Sequence, residues 1–277
     1  FAILPLLLIV FTKILTVSFH RWIGAGALVV AASILTHNLS ALLYLPIIVM
    51  YPFIAKEILS LSQIPARLTR ESIAGGPIST LFRYYFSMAL GVLLSAFFWL
   101  PALLESKYTL ASWMFSTRDW YADHFLSFRQ LLWSSWGYGW SLPGVENDGM
   151  SFQVGIAQWV VLIVMAFLIL KKKLPPRLFL LSLYAYLLTL IGIFMVLPIS
   201  NFVWHLTSLL PKFQFPWRFL TYVVVGTSVL AAVMADMIRK RLVLVSLAIL
   251  PIVTTIPYWR IAGPSSLTEQ FLTVDYV

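Results

Sequence analysis

The chain has 277 residues, of which 61% are hydrophobic and 10% charged, and its mean hydropathy is +0.91. Soluble domains average about 45–50% apolar and about 25% charged residues, so this composition excludes an ordinary cytosolic enzyme, a disordered protein and a nucleic-acid-binding domain. The net charge of +9 instead indicates lysines and arginines that anchor cytoplasmic loops against anionic lipid. Continuous apolar runs favour membrane-spanning helices over an outer-membrane barrel.

The apolar segments, taken in chain order, predict an all-α transmembrane bundle. A helix needs about 20 residues to cross about 30 Å of hydrocarbon. We expect about eight spans in a single transmembrane domain over residues 1–277, at about 1–19, 22–37, 39–55, 79–103, 154–170, 178–198, 217–238 and 242–258. The polar pair His37-Asn38 interrupts the second long apolar stretch, which predicts two short helices that meet at this pair.

The basic residues predict the orientation of the bundle. Loops on one side hold 13 of the 19 lysines and arginines, whereas seven of the ten acidic residues lie on the other side. The positive-inside rule makes the first side cytoplasmic, with loops around 13–21, 56–83, 171–177 and 239–241. Within these, the Pro- and Gly-containing connector 60–78 is expected to lie on the membrane surface. The segments 104–153 and 199–216 are then outside.

Cysteine and histidine usage limits the chemistry. The chain contains no cysteine and four histidines. A disulfide framework, a thiolate metal site and a cysteine nucleophile are therefore excluded, and a metal cage built from His is not expected. A divalent metal held by other groups stays open as a cofactor. The chain starts at Phe1 inside an apolar run, and we expect it to be an internal piece of a longer protein.

The predicted outer loop 104–153 is rich in aromatic residues. Its run 133–140 places Trp133, Trp136, Tyr138 and Trp140 among glycines. One interpretation is an interfacial aromatic belt accompanied by solvated acids. The alternative is a platform for a sugar or lipid, because aromatic faces stack on the C–H surfaces of sugar rings and glycines let a ligand approach the backbone.

Two polar features at predicted outer helix ends are candidate ligand contacts. His37 and Asn38 either satisfy backbone carbonyls at a helix end or contact a ligand, since polar side chains at membrane depth are costly. Arg218 follows Pro216 just inside the seventh predicted span. It either reaches toward headgroup phosphates or binds the phosphate or carboxylate of a ligand.

Three short motifs carry a resemblance to a known family. The segments Leu-Thr-His-Asn-Leu-Ser at 35–40, Phe-Trp-Leu-Pro-Ala-Leu-Leu-Glu at 98–105 and Phe-Pro-Trp-Arg-Phe at 215–219 resemble those of bacterial membrane proteins labelled "6-pyruvoyl-tetrahydropterin synthase-related". That family resembles the GT-C class of polytopic glycosyltransferases, including proteins of the YfhO type. The label does not imply pterin chemistry, because the soluble synthase of that name uses a His-built zinc site that this sequence does not supply.

The resemblance implies a multi-pass glycosyltransferase of the bacterial cytoplasmic (inner) membrane. It would take sugar from a polyprenyl-phosphate donor on the extracytoplasmic face, with Arg218, His37 and Asn38 at the donor phosphate. The usual acidic base of the class follows the first span and is expected upstream of this segment, which leaves Glu105 as the candidate base within it. The expected partners are membrane lipid and the donor, without nucleic acid. The alternatives are a lipid or solute transporter or flippase, and a non-catalytic cell-envelope scaffold.

Overall fold

The computed structural model describes residues 3–17, 20–61, 76–109, 120–134, 137, 139–144, 148–238 and 241–259. All regular secondary structure in these ranges is helical, as predicted. The α-helices are α1 (Ile3–Thr16), α2 (Arg21–Thr36), α3 (Asn38–Leu61), α4 (Gly76–Leu94), α5 (Ala96–Leu104), α6 (Phe128–Leu132), α7 (Ile156–Leu170), α8 (Pro176–Val196), α9 (Asn201–Trp204), α10 (Leu220–Met237) and α11 (Arg241–Thr255). Short 3-10 turns lie at Ser106–Tyr108, Trp120–His124, Pro198–Ser200, Leu210–Phe213, Pro216–Phe219 and Ile256–Tyr258.

Each predicted apolar segment forms a helix, but these helices differ in length. Within the described ranges, three stretches are long and apolar enough to cross a membrane, at Asn38–Ala55, Leu178–Val196 and Pro216–Met237. The bent pair α4 and α5 makes a fourth if it counts as one span. The apolar helices α1, α2, α7 and α11 have 14 to 16 residues, fewer than the roughly 20 that a full crossing needs.

Two of the predicted breaks between helices are present in the structure. The helix α2 ends at Thr36 and α3 begins at Asn38, on either side of His37. A turn also separates α7 from α8, and Lys172 within it has φ of 51°. Residues 62–75, most of the predicted surface connector, lie outside the described ranges, as do 110–119 of the predicted outer loop.

The predicted span at 79–103 consists of two helices, because α4 and α5 are bent by 63° at Ser95. The carbonyl oxygen of Val92 accepts hydrogen bonds from the Ser95 hydroxyl at 3.0 Å and from the Trp99 indole N–H at 2.9 Å. These side-chain donors replace the backbone N–H that would continue the helix. Side chains inserted into the helical ladder in this way bend it.

The chain forms two compact units, Phe1–Arg118 with Lys173–Tyr184, and Asp119–Lys172 with Ala185–Val277. In the first unit α1 packs against α2, α3 and α4, and α2 also packs against α3 and α4. A Cβ atom at Gly91 of α4 would lie 2.5 Å from the Cβ of Val30 and 2.6 Å from the carbonyl oxygen of Ala27. The absence of a side chain at Gly91 therefore permits the close approach of α2 and α4.

A tyrosine in α4 donates a hydrogen bond to a carbonyl that a proline in α3 leaves free. Pro52 has no N–H, so the carbonyl of Ile48 one turn earlier loses its helical donor. The buried Tyr84 hydroxyl donates a hydrogen bond to this oxygen at 2.6 Å, and Tyr85 donates to the adjacent Val49 carbonyl at 3.0 Å. Since an apolar environment offers a freed carbonyl no water, these bonds stabilise the contact between α3 and α4.

In the second unit α7 packs against α10 and α11. The helices α8 and α10 approach closely at Gly226, where a Cβ would lie 2.5 Å from the Ala185 carbonyl oxygen. The backbone N–H of Leu126 donates to the carbonyl of Val196 at 2.8 Å. This bond attaches the turn Trp120–His124 to the end of α8.

Candidate functional site

The turn that carries Arg218 begins with an unusual backbone conformation. Gln214 has φ of 67° and ψ of −49°, and the Phe215 N–H donates to the Phe213 carbonyl at 2.7 Å. These values describe a γ-turn with positive φ, which is rare and strained. Pro216 then opens a 3-10 turn that continues into α10. Strain of this kind is concentrated at functional sites, where the surrounding structure holds it in place.

Arg218 lies against two stacked rings. The centroids of Phe215 and Trp217 are 5.3 Å apart, and the Arg218 guanidinium carbon is 5.4 Å from the first and 5.9 Å from the second. Ring faces stabilise the positive charge but offer no acceptor to the in-plane N–H groups. Among the described residues, the buried Arg218 Nη1 and Trp217 Nε1 have no hydrogen-bond partner. Because unpaired buried donors are costly, the turn is suited to a ligand that supplies acceptors.

His124 packs into the same group of rings. The rings of Trp120, His124 and Phe215 contact one another, with centroid separations from 4.9 to 5.1 Å. The Nδ1 of His124 and the Ser141 hydroxyl oxygen are 3.0 Å apart, whereas the buried Nε2 has no partner in the described part of the chain. We define the Phe215 cluster as Trp120, His124, Phe215, Trp217 and Arg218.

The surroundings of His124 favour its neutral form. Burial lowers the pKa of His124 below its usual value, and the negative charges of Asp123 and Asp148 oppose this effect without outweighing it. In a neutral imidazole one ring nitrogen donates a hydrogen bond and the other accepts. The contact with Ser141 therefore determines what Nε2 can bind.

Asp148 holds the segment that carries Ser141. Its Oδ1 accepts a hydrogen bond from the Leu142 N–H at 2.9 Å, and its Oδ2 accepts one from the Gln130 side chain at 2.7 Å. Gln130 also completes the capping box that begins α6. This network connects α6 to Ser141 and, through it, to the His124 ring.

The predicted sugar or lipid platform is partly described. Trp133 and Trp140 are 67% and 82% exposed, whereas Trp136 and Tyr138 lie outside the described residues. Gly139 donates its N–H to a backbone carbonyl farther along the loop at 2.9 Å. The exposed indoles are compatible with both a belt and a platform, and the platform stays a prediction.

His37 and Asn38 act at a helix end in the first unit. The Nδ1 of His37 accepts the Ser40 N–H at 3.1 Å, and the Oδ1 of Asn38 accepts the Leu39 N–H at 2.8 Å. N–H groups in the first turn of a helix have no helical acceptor, so both side chains serve the start of α3. The pair lies at a helix end, but these contacts satisfy N–H groups rather than the expected carbonyls, and a ligand contact by either residue stays a prediction.

Glu105 follows α5 in the first unit and is exposed. Arg218 belongs to the second unit. The roles of Glu105 as base and of His37 and Asn38 at the donor phosphate stay predictions. In the parts of the chain that the structure describes, no group of three or more His, Asp or Glu side chains could hold a metal ion.

Sequence reasoning singled out Arg218 but missed His124, Trp120 and the role of the Trp217 indole. His124 lies far from Arg218 in the sequence, and no local periodicity relates the two. The available signal was the density of aromatic residues in two separate segments, 120–125 and 213–219.

No protein-family model, curated protein or solved structure matches this chain. The resemblance carried by the three short motifs therefore stays a prediction.

Proposed function

We propose that the Phe215 cluster binds the phosphate of a polyprenyl-phosphate-linked sugar and that the chain belongs to a membrane glycosyltransferase of the GT-C type. The observation that carries this proposal is the pair of buried donors, Arg218 Nη1 and Trp217 Nε1, which no described residue satisfies. The charged oxygens of a phosphodiester accept hydrogen bonds and do not donate them. A guanidinium can bind such a group through two parallel bonds.

The proposal includes a bundle of about eight spans in the bacterial cytoplasmic membrane. The long apolar helices support it, and the shorter ones would cross with local thinning of the bilayer or with flanking residues that reach the interface. With the basic loops in the cytoplasm, the start of α10 faces the extracytoplasmic side. The phosphate of such a carrier lies at the membrane surface while its prenyl chain stays in lipid. The membrane surface is also the depth expected for Arg218.

In the proposed reaction an acceptor hydroxyl attacks the anomeric carbon of the donor sugar. The bond from that carbon to the phosphate oxygen breaks, and polyprenyl phosphate leaves with the electron pair. Arg218 and Trp217 would stabilise the charge that develops on the leaving phosphate. A carboxylate takes the acceptor proton. The exposed Trp133 and Trp140 would hold the sugar.

The test is sugar transfer from a polyprenyl-phosphate donor in membranes, normalised to folded protein. Charged hydrogen bonds contribute about 1.5–3 kcal/mol each, so Arg218→Ala should lower transfer about ten- to several-hundred-fold. Arg218→Lys keeps the charge but loses the planar fork, and its activity should fall between wild type and Ala. Lys212→Ala, an exposed cation close by in the sequence, is the matched control and should leave transfer unchanged.

A guanidinium that only reaches toward lipid headgroups would behave differently. Lysine performs that role as well as arginine, so Arg218→Lys would be silent. Arg218→Ala would reduce the amount of folded protein but not the activity per molecule. Equal normalised transfer in wild type, Lys and Ala would therefore contradict the proposed phosphate site.

A lipid transporter or flippase is the second candidate, and one observation favours it. Broken spans line the substrate sites of many transporters, and α4 and α5 break by 63° at Ser95. Movement of a labelled prenyl phosphate across vesicles without sugar transfer would support this candidate. Sugar transfer without such movement would exclude it.

A further inference from the structure

The Phe215 cluster concentrates buried polar atoms that lack partners. Of five such side-chain atoms in the described residues, three belong to His124, Trp217 and Arg218. All three residues contact the Phe215 ring, at 4.9, 5.3 and 5.4 Å from its centroid. The indole and guanidinium nitrogens can only donate. The Nε2 of His124 donates or accepts according to the tautomer of the ring.

Ser141 can set that tautomer. Its hydroxyl oxygen is 3.0 Å from Nδ1 of His124, and a hydroxyl can donate to a ring nitrogen. A neutral imidazole that accepts on Nδ1 carries its proton on Nε2. In this arrangement all three atoms are donors, and all three suit a ligand with oxygens that only accept. In the opposite tautomer Nε2 would be an acceptor, but it accepts no hydrogen bond from Arg218 Nη1 or Trp217 Nε1.

We propose that Nε2 of His124 donates a hydrogen bond to the same phosphate group that Arg218 and Trp217 bind, with Ser141 as the positioning residue that donates to Nδ1. This inference rests on the proposed function, because it takes the ligand of the cluster to be a phosphate. His124 is only 4% exposed. A bond at Nε2 therefore forms with a group that enters the cluster rather than with bulk water.

The site should bind its ligand more tightly as the pH falls. Burial favours the neutral imidazole in the free protein, whereas a bound phosphate favours the imidazolium. The charges near the ring are Asp123, Asp148 and the Arg218 guanidinium, which lies against the same Phe215 ring. Binding therefore favours protonation of Nδ1 as the pH falls, with the Ser141 hydroxyl oxygen then accepting from Nδ1–H, and the affinity should rise as the pH falls.

The test is calorimetric titration of the full chain in nanodiscs. The probe is farnesyl methyl phosphodiester, which has no proton to exchange near neutral pH, and farnesol serves as the probe without phosphate. The variant His124→Leu should weaken phosphodiester binding about ten- to a hundred-fold, leave farnesol binding unchanged and abolish the pH dependence. His124→Gln keeps a side-chain N–H and should recover part of the affinity without the pH dependence. Ser141→Ala should cost a few-fold.

The alternative outcomes separate this inference from the proposed function. Equal weakening of both probes in His124→Leu would assign the ring to packing and overturn the inference. Weakening in Arg218→Ala and Trp217→Phe but not in the His124 variants would overturn it and leave the phosphate site intact. Wild-type binding of the phosphodiester no tighter than that of farnesol would overturn both. If His124→Leu does not fold, a pH profile of His124→Gln as steep as wild type overturns the inference.

Discussion

Replacing Tyr84 with phenylalanine removes one oxygen atom from the buried contact between α3 and α4. The hydrogen bond lost is the 2.6 Å bond to the Ile48 carbonyl, and Pro52 supplies no N–H in its place. An unsatisfied buried carbonyl costs about 1–3 kcal/mol, whereas interhelical bonds measured in membranes average about 0.6 and reach about 1.7 kcal/mol. Because no helical donor competes for this oxygen, we expect a loss of about 1–2 kcal/mol in the free energy of unfolding.

The measurement is reversible unfolding in mixed detergent micelles. Tyr85→Phe is the matched control, because it removes the same atom from a bond to the adjacent Val49 carbonyl. The residue one turn later, Phe53, keeps its backbone N–H and can serve that carbonyl. Tyr85→Phe should therefore cost no more than the average of about 0.6 kcal/mol.

The variant Pro52→Ala makes the test specific to the proline. Alanine gives the Ile48 carbonyl a helical donor, so Tyr84→Phe should cost much less in this background than in wild type. The coupling free energy in the double-mutant cycle should be about 1 kcal/mol. Equal costs in the two backgrounds would refute the pairing of Tyr84 with the carbonyl that Pro52 leaves free.

Three further predictions concern packing, pH and orientation. Gly91→Val should destabilise the first unit by about 1–3 kcal/mol, because a Cβ there lies 2.5 Å from a Cβ of α2. The control Gly24→Ala should be neutral or stabilising in the same unfolding assay, because a Cβ at that position meets nothing within 4 Å. Equal losses of stability in the two variants would count against the close approach of α2 and α4. Burial lowers the folded-state pKa of His124, so the unfolded chain protonates this imidazole first as the pH falls through about 6.5. The denaturant midpoint for unfolding of the second unit should therefore drop below that pH. An equal drop in His124→Gln would reject this cause. In intact cells an impermeant thiol reagent should label Leu142→Cys and not Lys172→Cys in this chain without native cysteine, and the reverse pattern would overturn the orientation.

The helices could be predicted from the sequence because their signal is local. Uninterrupted apolar runs indicate where they lie, and the polar pair His37-Asn38 marks the boundary between α2 and α3. The bend at Ser95 could not be predicted in this way. It depends on hydrogen bonds from the Ser95 hydroxyl and the Trp99 indole to one carbonyl oxygen. Serine and tryptophan also occur in unbroken apolar spans, so neither residue type indicates a bend.

The candidate site could be predicted only where one residue was unusual by itself. Arg218 stood out because a cation at the predicted outer end of a span opposes the charge trend of the chain. His124 joins it through ring contacts between segments distant in the sequence, which no local pattern records. The positive φ of Gln214 has no local signal either, since glutamine is not a residue that favours this conformation.

In the proposed function, Arg218 and Trp217 bind the phosphate of a lipid-linked sugar. This binding is tested most directly by a cryo-EM structure of the protein in nanodiscs with a non-transferable polyprenyl-phosphate sugar analogue. We expect phosphate oxygens within about 2.7–3.2 Å of Arg218 Nη1 and Trp217 Nε1. A phosphate bound elsewhere, with these two nitrogens bonded to protein groups or facing lipid, would contradict this proposal.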